Sequence, residues 1–279
     1  MDYSLGLYEK TIPVGLGWPK MFEITKEGGF DRLEISIDET DWRRARLDLS
    51  SAEQHEIGNL SREMGVGIRT MCLSGHRKYP LGSHDPEIRR ISLDIMKKAI
   101  RFCVNADISI IQLAGYDVYY EKGDADTEKW FAENLLKSTE YAAEQGVVLA
   151  FETMETPFMD TVEKAMNYVR QVDSPYLGVY PDSGNITNAA LLYDGDVAAD
   201  LETGRGHIVA VHLKETVPGK YREIPFGTGH VDFQKIVNKS WQLGVRRFVG
   251  EFWYDPQTDW REELQKANDF LRSYLDKAE

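Results

Sequence analysis

Eight short apolar runs rich in β-branched residues recur along the chain, at Ser4–Leu7, Arg32–Ile37, Ile68–Ser74, Ile108–Ala114, Val147–Thr153, Leu177–Asp182, Ile208–Lys214 and Phe248–Trp253. Most are nearly continuous hydrophobics, which predicts strands buried on both faces of a parallel sheet. Each is followed by a longer stretch whose apolar residues fall three and four apart. In the third such stretch Ile88, Ile91, Ile95, Ala99 and Cys103 form one stripe, and Asp85-Pro86 supplies an N-cap and a first-turn proline. The last repeats the spacing through Leu264, Ala267, Leu271 and Tyr274. Gly65, Gly146 and Gly244 stand just after helical stretches, where a left-handed residue ends a helix.

Eight βα units without a Pro/Ser/Gly-rich linker predict an α/β fold, a (β/α)8 TIM barrel spanning residues 1–279 as a single domain. The doubly wound open sheet shares the alternation, but no GxGxxG opens a helix here, and Gly227-Thr228-Gly229 runs on into His230 and Val231.

Charge narrows the functions this fold could carry. Lys and Arg number 33 against 46 Asp and Glu, a net charge of −13, which argues against nucleic acid or anionic lipid as a partner. No run is long and apolar enough to span a membrane, and Met1-Asp2-Tyr3 does not begin a leader, so a soluble cytoplasmic protein is expected. Cys72 and Cys103 lie in apolar company and are expected to be reduced and buried.

In a barrel, chemistry sits at the carboxyl ends of the strands. Four successive runs there contain a metal-ligand type: Glu152 in LAFET, Asp182 in VYPDSGN, His212 in VAVHLK and Glu251 in FVGEFW. One such carboxylate is commonly a helix cap, but three converging on one rim need a cation to offset their charge. Three carboxylates and an imidazole suit one divalent metal, Mn²⁺ first, with Co²⁺, Mg²⁺ or Zn²⁺ as alternatives. Glu152 and Glu251 lie three strands apart, roughly 135° around the rim, and so face opposite sides of a bound substrate. That arrangement predicts a metal-dependent proton-transfer enzyme for a ketose-like substrate, with one carboxyl removing a proton α to the carbonyl and the other returning one through an enediolate.

The segments LGLYEKTIP, FDRLEISIDETD, MCLSGHRKYPLGS, IIQLAGYDVYY, YPDSGN, HIVAVHLKETVPG and IPFGTGHVDF together resemble the L-ribulose-5-phosphate (L-xylulose-5-phosphate) 3-epimerases, relatives of D-tagatose 3-epimerase in the xylose-isomerase-like barrel superfamily. The resemblance covers nearly the whole chain. It implies an isomerase of ascorbate and pentose catabolism in which Glu152, Asp182, His212 and Glu251 hold the metal and Glu152 and Glu251 exchange the C3 proton. It also allows a homodimer, although no interface patch stands out. Where the epimerases of non-phosphorylated ketoses carry a His after the metal-binding Asp, this chain has Asn185, and their substrate-binding Arg after the seventh strand is not obvious here. Both departures favour a sugar phosphate as the small-molecule partner. The candidate anion contacts are His76-Arg77-Lys78 after the third strand, Lys10 after the first and Lys214 after the seventh.

Other residues carry less. Glu155 reads as a first-turn or solvent carboxylate, and Glu34 as a charge inside a strand that meets either substrate or another side chain. His55, His84, His207 and His230 read as structural or solvated, and Tyr116, Tyr119, Tyr120 and Trp253 could line a sugar pocket as readily as a core. Rival functions are an aldose–ketose isomerase such as a hexulose-6-phosphate isomerase, an abasic-site endonuclease and a non-catalytic sugar-phosphate-binding protein.

Overall fold

The computed structural model describes residues 3–279; Met1 and Asp2, read above for a leader, lie outside them. Eight parallel strands form one sheet: β1 (Ser4–Tyr8), β2 (Arg32–Ile37), β3 (Gly67–Leu73), β4 (Ile110–Ala114), β5 (Val148–Glu152), β6 (Leu177–Tyr180), β7 (Val211–Leu213) and β8 (Arg247–Gly250). Their order β6-β5-β4-β3-β2-β1-β8-β7 brings the ends of the sheet together. The β6–β7 seam carries only the bridges Val179↔Ile208 and Asp182↔His212. Helices separate successive strands, giving the TIM barrel the alternation predicted.

Local chemistry accounts for the helices. Asp85 caps Pro86–Ala106 by accepting the Glu87 amide, and Asp232 caps Phe233–Gln242 by accepting the Lys235 amide. Gly65 and Gly146 end their helices at φ 70° and 73°, where a side chain would be strained. Among the described residues no helix is long and apolar enough to cross a membrane. Cys72 and Cys103 are buried free thiols.

The strands are buried on both faces, as their nearly continuous hydrophobics predict, and the two faces do different work. Leu33, Ile35, Met71, Leu113, Leu149, Phe151, Val179 and Val211 belong to the main core, which Phe131, Ile100 and Leu271 of the surrounding helices also enter. The alternate positions form a smaller cluster of Tyr8, Cys72, Ile110, Ala150, Tyr180, Ala210 and Val249. Continuing that alternation along each strand leads to Lys10, Ser74, Glu152, Asp182, His212, Lys214 and Glu251. The face that is apolar low in the barrel becomes polar toward its carboxyl end.

Candidate active site

Backbone position sets up the four predicted ligands. Glu152 is the last residue of β5 and His212 the middle of β7. The other two strands end earlier than their apolar runs, so Asp182 and Glu251 step out of the regular ladder. Asp182 bridges β7 and donates its amide to Thr153 Oγ1 at 3.0 Å, while the Glu251 amide reaches the Leu213 carbonyl at 2.9 Å. Asp182 also caps helix Ser183–Leu192, one carboxylate oxygen accepting the Asn185 amide at 2.7 Å. It is therefore both the helix cap and a potential ligand: its second oxygen, Oδ2, is buried without a hydrogen-bond partner.

One donor atom from each of Glu152, Asp182, His212 and Glu251 lies within 4.8 Å of all the others, and all four residues are buried. His212 Nδ1 is 2.9 Å from Glu251 Oε2 and 3.5 Å from Glu152 Oε1. Lys214 sits beside them, its Nζ 3.0 Å from Asp182 Oδ1, 2.9 Å from Asn185 Oδ1 and 3.9 Å from Glu251 Oε2. Three buried carboxylates thus face one lysine and one imidazole. The unpartnered Asp182 oxygen and the surplus negative charge fit a divalent cation, which this donor set could hold.

The same crowding drives the proton affinities apart. Burial pushes the Asp182 carboxyl up, Lys214 opposes this, and Glu251 and Glu152 reinforce it, leaving it at about 8. Burial and the Glu251 charge likewise raise Glu152. Burial would also raise Glu251, but Lys214 and His212 outweigh it and hold that carboxyl well below the carboxylate range. For His212, burial disfavours the imidazolium, and Glu34 and Glu251 more than compensate. The two carboxyls expected to move protons are therefore shifted in opposite directions.

Above the cluster opens a pocket lined by Tyr8, Lys10, Cys72, Ser74, Arg77 and Trp253 together with Glu152, Asn185, Lys214 and Glu251. Lys10 pairs with Asp38 at 3.0 Å. Arg77 lies over the Tyr119 and Tyr116 rings at 4.9 and 5.8 Å, with its Nε buried and unpartnered. The neighbours of Arg77 go elsewhere: His76 is buried with Nε2 3.1 Å from the Ser92 carbonyl, and Lys78 is exposed beside Tyr79. Neither lines the pocket. His55, His84 and His230 find partners in Asn105, the Glu121–Asp124 pair and Thr216 respectively.

Sequence reasoning missed two charged lining residues. Arg222, in the loop after β7, enters the pocket where no arginine was evident, because the loop turns back through the Val217–Lys220 bridge. Glu155, read as a solvent carboxylate, lines the pocket too. It accepts Arg222 at 3.0 Å and the Tyr116 hydroxyl at 2.5 Å. The run of Tyr116 and Tyr119 with Glu155 was the available signal, since buried phenols need acceptors.

Comparison with known proteins agrees with this architecture. Residues 22–274 match the family model of xylose isomerase-like TIM barrels. The chain is 41% identical over 275 residues to the L-ribulose-5-phosphate 3-epimerase UlaE of Escherichia coli (strain SMS-3-5 / SECEC), covering 98% of this chain and 95% of that protein. The Escherichia fergusonii protein of the same name matches equally, at 41% identity with the same coverage. Among solved structures, D-psicose 3-epimerase with D-tagatose from Clostridium cellulolyticum H10 superposes with a TM-score of 0.79 at 18% identity, over 98% of this chain and 99% of that one. An L-ribulose 3-epimerase structure gives 0.80 at 16% identity, over 99% and 95% of the two chains, and both show the shared fold. The chain belongs to the L-ribulose-5-phosphate 3-epimerase family of xylose isomerase-like TIM barrels, and it is an isomerase-class enzyme.

Proposed function

We propose that this protein is a divalent-metal-dependent 3-epimerase that interconverts L-ribulose 5-phosphate and L-xylulose 5-phosphate in the cytoplasm, as a single barrel domain over residues 1–279. The observation that carries the reading is the convergence of Glu152 and Glu251, from strands three apart, on the same His212 nitrogen at the base of a pocket. Glu251, kept ionised by Lys214 and His212, is suited to take the C3 proton from one face of the ketose. Glu152, on the far side of the cluster from Glu251, is suited to serve the other face. Reaction in the opposite direction exchanges these roles.

The metal is assigned to Glu152, Asp182, His212 and Glu251, with Mn²⁺ preferred and Co²⁺, Mg²⁺ or Zn²⁺ as alternatives. Bound there, it supplies Lewis-acid stabilisation of negative charge on the substrate oxygens. Lys214 and Asn185, bonded to each other at the pocket floor, orient the hydroxyl groups near C3. Arg77, Lys10 and Arg222 supply the cations for the 5-phosphate, and the buried unpartnered Nε of Arg77 supports its place among them. His76 and Lys78 are left out of this contact set, since neither lines the pocket.

Proton exchange tests the reading. Incubation with L-ribulose 5-phosphate in deuterated water is expected to label C3, and Glu152→Gln or Glu251→Gln should slow the exchange by about 10²- to 10⁴-fold. Label at C1 instead would assign an aldose–ketose isomerase.

A further inference from the structure

His212 offers its two ring nitrogens to two separate sets of carboxylates. Nδ1 faces the ligand cluster, 2.9 Å from Glu251. Nε2 faces away from it and lies 2.6 Å from Oε1 of Glu34. Glu34 comes from the middle of β2, is fully buried, and accepts the Tyr180 hydroxyl at 2.9 Å through its other oxygen. Among the described residues no lysine or arginine pairs with its carboxylate, so a buried negative charge has been placed against this one imidazole. Gln112 also touches the ring, but its amide nitrogen is 3.1 Å from Nδ1 and 3.3 Å from Nε2, too near both to select between them.

A carboxylate only accepts hydrogen bonds, so the nitrogen facing Glu34 must carry a proton. Nδ1 faces Glu251 at 2.9 Å by the same rule, so the proton on Nδ1 is the one a divalent cation would displace, leaving the Nε2 proton on Glu34. We propose that Glu34 is a positioning residue: it fixes the Nε2–H tautomer and the orientation of His212, and thereby presents Nδ1 to the divalent cation. The Tyr180 ring, packed edge-on at 5.0 Å, and its hydroxyl on Glu34 hold the pair in place. A carboxylate behind a ligating imidazole strengthens it as a donor and prevents rotation away from the metal. This inference rests on the metal assignment above.

Two measurements test it without turnover. In Zn²⁺-loaded protein labelled with ¹⁵N-histidine, long-range ¹H–¹⁵N correlation is expected to show His212 protonated at Nε2 and not at Nδ1; the opposite tautomer overturns the proposal. Glu34→Gln, whose amide can turn a donor toward the ring, is expected to weaken Zn²⁺ binding by about 10- to 100-fold in competition with a chromogenic chelator. A folded variant with affinity within twofold of the parent overturns the role of Glu34. If the variant fails to fold, the tautomer in the unsubstituted protein decides alone. A parent protein that takes up no Zn²⁺ refutes the metal assignment itself, and is thereby distinguished from one that binds Zn²⁺ with the wrong nitrogen.

Discussion

The half of the barrel rim built by β5 to β8 and the half built by β1 to β4 carry different kinds of charge. The first holds Glu152, Asp182, His212, Lys214 and Glu251, all buried, with His212 reaching Glu152 and Glu251 and Lys214 reaching Asp182. The second brings Tyr8, Lys10, Cys72, Ser74 and Arg77 to the pocket, with Lys10 tied to Asp38 and Arg77 lying over tyrosine rings. A displaced partner in that cluster would leave a buried charge uncompensated, and Glu34 of β2, bonded to His212, ties the second half to it. The proposed anchors for a substrate's far end sit on the turns after the strands, and such connections can differ between relatives without disturbing the barrel.

That contrast is broken most directly at Lys214. Its ammonium is fully buried between Asp182, Asn185 and Glu251, and those carboxylates more than offset the cost of burying it. Lys214→Met leaves the carboxylate cluster without its one lysine. In metal-free protein the expected loss is roughly 3–5 kcal/mol in urea unfolding. Excess Zn²⁺ should recover part of this by supplying the missing positive charge to the folded state. Metal-free stability equal to the parent's would show that Lys214 does not balance the cluster, and the two halves would then be equally tolerant.

The two halves were also unequally legible in the sequence. Glu152 and His212 could be read because each interrupts an apolar strand, and strand ends are where barrel chemistry lies. Asp182 was readable as a ligand or as a cap, and it turns out to use one oxygen for the cap while the other stays unpartnered. Arg222 and Glu155 were not readable, because they meet through a loop fold that no periodicity encodes, 67 residues apart along the chain. His76 and Arg77 illustrate the same limit at closer range. They are adjacent in a short 3₁₀ turn, which sends one side chain to the Ser92 carbonyl and the other into the pocket. Spacing could nominate the pair but could not divide it.

His76 sharpens the comparison from the β1–β4 side, since its charge state reports on packing and not on ligands. Burial outweighs its bond to Ser92 and lowers its pKa from 6.5 to about 4. The folded state therefore keeps His76 neutral in a pH range where the unfolded chain protonates it. Stability from this group is complete above pH 6.5 and is lost as pH falls from 6.5 toward 4. The loss amounts to roughly 3 kcal/mol across that window. In metal-free protein, His76→Gln should flatten urea-derived stability between those limits by up to one proton's slope, with little change at pH 8. An unchanged slope would mean that other groups carry the acid sensitivity.

The smallest expected effects come from the two pocket arginines, one supplied by each half of the rim. Arg77 has a buried unpartnered Nε, whereas Arg222 is already held by Glu155 at 3.0 Å. A donor without a partner gains a full charge-assisted bond when a phosphate arrives, whereas a donor in an ion pair must share or exchange its acceptor. Removing Arg77 should therefore cost more. Arg77→Ala is expected to raise KM for L-ribulose 5-phosphate about 10- to 100-fold, equivalent to roughly 1.5–3 kcal/mol of charge-assisted hydrogen bonding. Arg222→Ala should raise it less than about 10-fold. Neither change should alter metal content or the KM of the unphosphorylated ketose. If Arg222→Ala costs more, the phosphate is held from the β5–β8 side, and if both variants weaken the free sugar equally, neither arginine acts through the phosphate; either result ends the division between a catalytic half and an anchoring half.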